Sequence, residues 1–71
     1  MLKIIIDPQA NAIYIYVSDL PVAFTKELDE DRLIDYASDG TPVGIDLLNV
    51  SDGIETSDLP NRAQVEQLLA L

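Results

Sequence analysis

The sequence predicts an α+β fold: a small antiparallel β-meander of about five strands, with one C-terminal helix packed on one face. Short runs of β-branched and aromatic residues recur between clusters of Asp, Asn, Gly and Pro, the pattern of strands joined by tight turns. The stretch from Arg32 to Leu48 reads as a hairpin whose two alternating runs meet at Asp39-Gly40. Only after Pro60 does an apolar stripe with helical spacing appear.

Each element has its own reason. Leu2 to Ile6 is a short apolar strand interrupted by Lys3, and Asp7-Pro8-Gln9-Ala10-Asn11 is a turn. Ala12 to Val17 is the strongest strand. Ile13, Ile15 and Val17 point one way and Tyr14 and Tyr16 the other, so it is expected to be central and covered on both faces. Val22 to Leu28 is a third strand with one face toward water, and the acidic connection containing Glu27, Asp29, Glu30 and Asp31 is expected as an exposed loop.

In the hairpin, Asp39 and Gly40 fit the central positions of a type I′ turn, since both need positive φ. That register sets Tyr36 opposite Val43 and Ile34 opposite Ile45. Ile34, Tyr36, Val43, Ile45 and Leu47 then form the core face, and Asp35 and Asp46 lie diagonally on the other. Gly44, opposite Asp35, marks a close approach or a bulge. Asn49 to Asp58 is polar and turn-rich, with Ile54 as an anchor to the core. The final helix starts from an Asn61 cap with Gln64 completing a capping box, or from Pro60 as its first residue. Val65, Leu68, Leu69 and Leu71 form its apolar stripe. Consecutive strands are expected to pair.

Seventy-one residues make a single domain, 1–71, burying roughly 60% of the surface its unfolded chain exposes. So small a core makes a homodimer a natural supplement. The chain has no cysteine or histidine, which excludes disulfides, thiol chemistry and the commonest general base and transition-metal ligand. Thirteen acids against four bases give a net charge of −9. Such a surface repels nucleic acid and anionic membranes, and it suits a basic protein partner. No apolar run approaches a membrane span, and the start lacks a signal-peptide pattern, so the expected compartment is cytoplasmic.

Asp35 and Asp46 are the strongest candidates for chemistry, because paired carboxylates can share a proton or bind a divalent cation. A metal-dependent or acid–base enzyme would use them with Asp7 or Tyr14. Neither Asp39-Gly40 nor Asp52-Gly53 carries the acid spacing of a calcium loop. The serines have no histidine to activate them, and Gly40, Gly44 and Gly53 form no phosphate-binding loop. The residues alone favour a domain that is not an enzyme and carries no cofactor or metal. A self-associating structural domain is the third reading.

The ordered motifs Asp7-Pro8, Asn11-Ala12-Ile13-Tyr14-Ile15, Ile34-Asp35-Tyr36, Asp39-Gly40 and Val43-Gly44-Ile45-Asp46-Leu47 resemble the bacterial domain of unknown function 2283. Leu59-Pro60-Asn61-Arg62-Ala63, leading into a helix, is similar to that family's tail. Asn11 stands where the family usually has Asp, and Asp46 where it usually has Glu. The resemblance implies no established activity. Its members are often encoded beside small toxin-like proteins, which implies an antitoxin or accessory role. The expected function is therefore an acidic protein-interaction module, antitoxin-like, that contacts a basic protein through Glu27, Asp29, Glu30, Asp31, Asp35 and Asp46.

Overall fold

A computed structural model describes residues 2–70. Five antiparallel strands form one sheet: β1 (Lys3–Asp7), β2 (Ala12–Tyr16), β3 (Phe24–Asp29), β4 (Arg32–Tyr36) and β5 (Pro42–Leu48). A 3-10 turn (Val50–Asp52) and one helix, α1 (Arg62–Leu69), follow. The strand order is β1-β2-β5-β4-β3. The meander is thus interrupted once: β2 pairs with β5, and β3 lies on the far edge instead of beside β2. The all-apolar side of β2 explains the exchange. Ile13 and Ile15 meet Leu47 and Ile45 there, whereas the matching face of β3 would set Lys26 between Phe24 and Leu28.

One sheet face is the core. Ile13, Ile15, Ile45 and Leu47 are buried with Leu59 and Val65, and Leu2, Ile4, Val17, Val50, Ile54, Leu68 and Leu69 pack around them. Val65, Leu68 and Leu69, spaced three and four apart, dock α1 on this side. Leu71 lies outside the described residues. Asn61 does stand at the start of α1, but with φ 52° its side chain makes no capping bond, so the expected capping box is absent. Asn tolerates that left-handed backbone better than most residues.

The register Ile34–Ile45 and Leu33–Asp46 is the expected one, but the turn is not type I′. Gly40 N donates to Ala37 O at 2.9 Å and Ala37 N donates to Thr41 O at 2.8 Å. Gly40 has φ 88°, and Asp39 is not among the positive-φ residues. This is a three-residue loop, a type I turn closed by a glycine bulge. The extra residue shifts the pairing, so Tyr36 faces Pro42 and not Val43. Tyr36 stacks instead on Phe24 of β3, with ring centroids 5.2 Å apart.

Two further expectations are corrected. β3 begins at Phe24, and all six of its residues are exposed. Glu27 and Asp29 belong to that strand, leaving Glu30-Asp31 as a tight turn rather than part of a loose acidic loop. β2 is interior but covered on one side only: Ile13 and Ile15 are buried, while Tyr16 is 40% exposed.

Candidate functional site: the open face of the sheet

The face opposite α1 carries two rows of side chains across the strands. One runs Lys3, Tyr16, Gly44, Asp35, Thr25; the next runs Ile5, Tyr14, Asp46, Leu33, Glu27. Alternation along each strand puts these residues on one side and the isoleucine core on the other. Among the described residues no second layer covers them.

The centre of this face is a small polar network. Gly44 has no side chain, and the Tyr14 ring lies across the vacant position; a Cβ there would sit 1.8 Å from Tyr14 Oη. This lets Tyr14 reach over β5 and donate its hydroxyl to Asp35 Oδ2 at 2.6 Å. Thr25 Oγ1 donates to Asp35 Oδ1 from the other side. Tyr16 packs edge-on to Tyr14 with centroids 4.8 Å apart. Gly44 is therefore a close-approach glycine, as its place in a strand suggested.

Burial first, and then the bond to Asp35, push the Tyr14 hydroxyl well above its ordinary value. The raised value favours the protonated hydroxyl, the form that donates to Asp35. Burial, followed by the charge of Asp35, also raises Asp46 above the usual carboxylate range. The folded state therefore holds the Asp46 proton more tightly than the unfolded chain does. This group's own contribution to stability thus falls as pH rises from the unfolded carboxyl value through the raised one, opposite in sign to that of Asp29. Asp46→Asn should remove that contribution, so that stability at pH 7 relative to pH 3 is higher in the variant than in the wild type. Thermal melts from pH 3 to 7 check this.

The six acids expected to form one contact surface divide into two groups. Glu27, Asp35 and Asp46 share the open face. Asp29, Glu30 and Asp31 sit at the β3–β4 turn, where two of them have structural work. Asp29 accepts from Arg32 Nε at 2.9 Å and pairs with its Nη2 at 2.8 Å, and Asp31 Oδ1 accepts from Asn49 Nδ2 at 2.7 Å. The Arg32 bond chiefly holds Asp29 below the usual carboxylate range. Arg32 itself is buried, an assignment the sequence reading missed. Its parity with Ile34 placed it on the core face, where Nη1 donates to the Glu55 and Ser57 carbonyls at 3.0 and 2.6 Å. Thr25 was missed too, because its contact with Asp35 depends on the register of β3 against β4, which the sequence left open.

Asp7, the further carboxylate weighed for an enzyme, lies at the β1 edge and accepts from Ala10 N at 3.2 Å. Asn11 joins the β1–β2 turn to the 3-10 turn: its Nδ2 donates to Ser51 Oγ at 2.9 Å, and its Oδ1 accepts from Ser51 N at 3.0 Å. Asparagine can do both; an ionised aspartate could only accept. Among the described residues no three acids converge as a metal-binding group. The arrangement offers hydrogen-bond acceptors and aromatic surface on the open face of the sheet. No helix among the described residues is long and apolar enough to cross a membrane.

The model of a protein family of unknown function, DUF2283, matches residues 3–51, which span all five strands and end before the Leu59–Ala63 tail. No curated protein and no solved structure matches the chain.

Proposed function

The chain belongs to the DUF2283 family of proteins of unknown function, and from its open face we propose that it is an acidic protein-binding module whose partner is a small basic protein. The carrying observation is that exposed Tyr16 and half-buried Tyr14 and Leu33 share the open face with Glu27, Asp35 and Asp46, in a chain of net charge −9. Interface cores favour aromatic side chains, and a surrounding field of one sign steers a partner of the other. A basic protein that normally grips phosphates is the natural occupant, since carboxylates on a rigid sheet take the phosphates' place. The reading is antitoxin-like in that sense: occlusion of a basic functional surface.

Glu27→Lys with Glu30→Lys tests this with little structural cost, because both side chains are exposed. The tagged chain is expected to retain a basic protein from its native host, with recovery falling at least about tenfold for the variant at equal salt. Added expression of that protein alone should then slow growth, and the wild-type chain should relieve it. Equal retention by the variant, or no basic protein retained at all, overturns the proposal.

A further inference from the structure

The two sheet edges differ in how they would meet another strand. β3 carries Lys26 and Glu27 at its middle, and its register slips between Glu27 and Asp29. A second copy paired antiparallel about a two-fold axis must set residues of the same parity opposite each other, so that both cores stay on one side. The two central registers of β3 then oppose Lys26 to Lys26 or Glu27 to Glu27. That edge is defended by charge.

β1 has the opposite character. Its sequence is Lys3-Ile4-Ile5-Ile6-Asp7, with unlike charges at equal distances from Ile5. Ile5 is 44% and Ile6 62% exposed, the latter the most exposed of the large apolar side chains among the described residues. Among the described residues neither Lys3 nor Asp7 has an ion-pair partner within the chain.

The backbone is also oriented for pairing. Val17 N donates to Val43 O at 2.8 Å, so the odd-numbered amides leading out of β2 turn toward β5. Successive amides alternate in direction, which leaves Tyr14 and Tyr16 facing Ile5 and Lys3 with exchanged hydrogen bonds. The amides and carbonyls of Ile4 and Ile6 consequently point outward from the sheet edge.

We propose that β1 pairs with β1 of a second copy of this chain, antiparallel and centred on Ile5, to make one continuous ten-stranded sheet. Ile4 and Ile6 exchange main-chain hydrogen bonds with the partner's Ile6 and Ile4. Ile5 meets the partner's Ile5, and Lys3 meets the partner's Asp7 at both ends. These last contacts fall at the non-hydrogen-bonded positions, where facing side chains come closest. Asp7 keeps its bond to Ala10 N through Oδ1, leaving Oδ2 for the lysine. The pairing goes beyond the binding reading above and does not depend on it. Because the two-fold axis stands perpendicular to the sheet, both open faces remain free on the same side.

Sedimentation equilibrium of the full chain tests this. A single added strand pair is a small interface, so a dimer with a dissociation constant roughly in the micromolar range is expected. Lys3→Asp places like charges at both ends and should weaken the dimer at least about tenfold. Asp7→Asn, which keeps an acceptor for the turn, should weaken it as well. An equimolar mixture of Lys3→Asp and Asp7→Lys chains should recover association that neither shows alone, with circular dichroism confirming that each is folded. A wild-type chain that stays monomeric at millimolar concentration overturns the proposal. So does a dimer that Lys3→Asp leaves unchanged, or folded charge variants that fail to pair when mixed.

Discussion

Replacing Gly44 with alanine is expected to cost about 2–3 kcal/mol and to lower the melting temperature by roughly 10–20 °C. The new methyl would lie 1.8 Å from Tyr14 Oη and 2.4 Å from Cζ, so the ring itself must leave its place. Once displaced, Tyr14 no longer reaches Asp35, and the carboxylate loses its 2.6 Å donor. Tyr14→Phe does not relieve the clash, because the ring carbons remain. Tyr14→Ala does relieve it. The double variant Tyr14→Ala/Gly44→Ala should therefore be far less destabilised than the sum of the two singles, a coupling that denaturant melts of all four proteins measure directly. Additive costs would show that Tyr14 does not occupy the space above Gly44.

Arg32→Met should be at least as damaging, costing about 2–4 kcal/mol. Methionine keeps most of the stem's packing and removes every donor. The Glu55 and Ser57 carbonyls and the Asp29 carboxylate then lose the bonds that hold the segment after the 3-10 turn against the sheet. The cost stays below that of a fully enclosed pair, because the Asp29 side chain is 44% exposed and water can reach it. Urea titration gives the loss, and amide exchange over residues 53–58 should accelerate more than exchange in β4. Arg62→Met is the contrast. Its 3.6 Å pair with Glu66 joins two half-exposed side chains, so its loss should cost no more than about 0.5 kcal/mol.

Period-two alternation was enough to sort the side chains of each strand into two faces, and in the hairpin it set Asp35 and Asp46 on the face opposite Ile34 and Ile45. Whether the tyrosines or the isoleucines of β2 share the face of the two aspartates it left open, and the β2–β5 register brings the tyrosines there. Alternation was also enough for the Ile34–Ile45 register, since a slip by one would have exposed the core. Alternation says nothing about which strand lies beside which. The β2–β5 pairing was therefore not legible, and with it went the reach of Tyr14 across Gly44 to Asp35. The turn failed for a subtler reason: Asp-Gly suits both a two-residue and a three-residue loop, and they differ only in whether Asp39 takes positive φ. Arg32 was not singled out because a charge is expected outside. Its parity with Ile34 was the available sign that this guanidinium turns inward.

Strand order also has a consequence for how the chain comes to be folded. Its pairings fall into two local groups, the β1–β2 hairpin and the β3–β4–β5 run, each closed by short turns and each cheap in loop entropy. A single seam joins them, from Ala12–Leu48 to Tyr16–Gly44, and it spans about half the sequence. Ile13, Ile15, Ile45 and Leu47 of the core cluster lie along that seam, so neither group owns a complete core before the two meet. The molecule is two partial sheets that become stable by joining, and the Asn11–Ser51 contact, forty residues apart in sequence, closes over the end of the join.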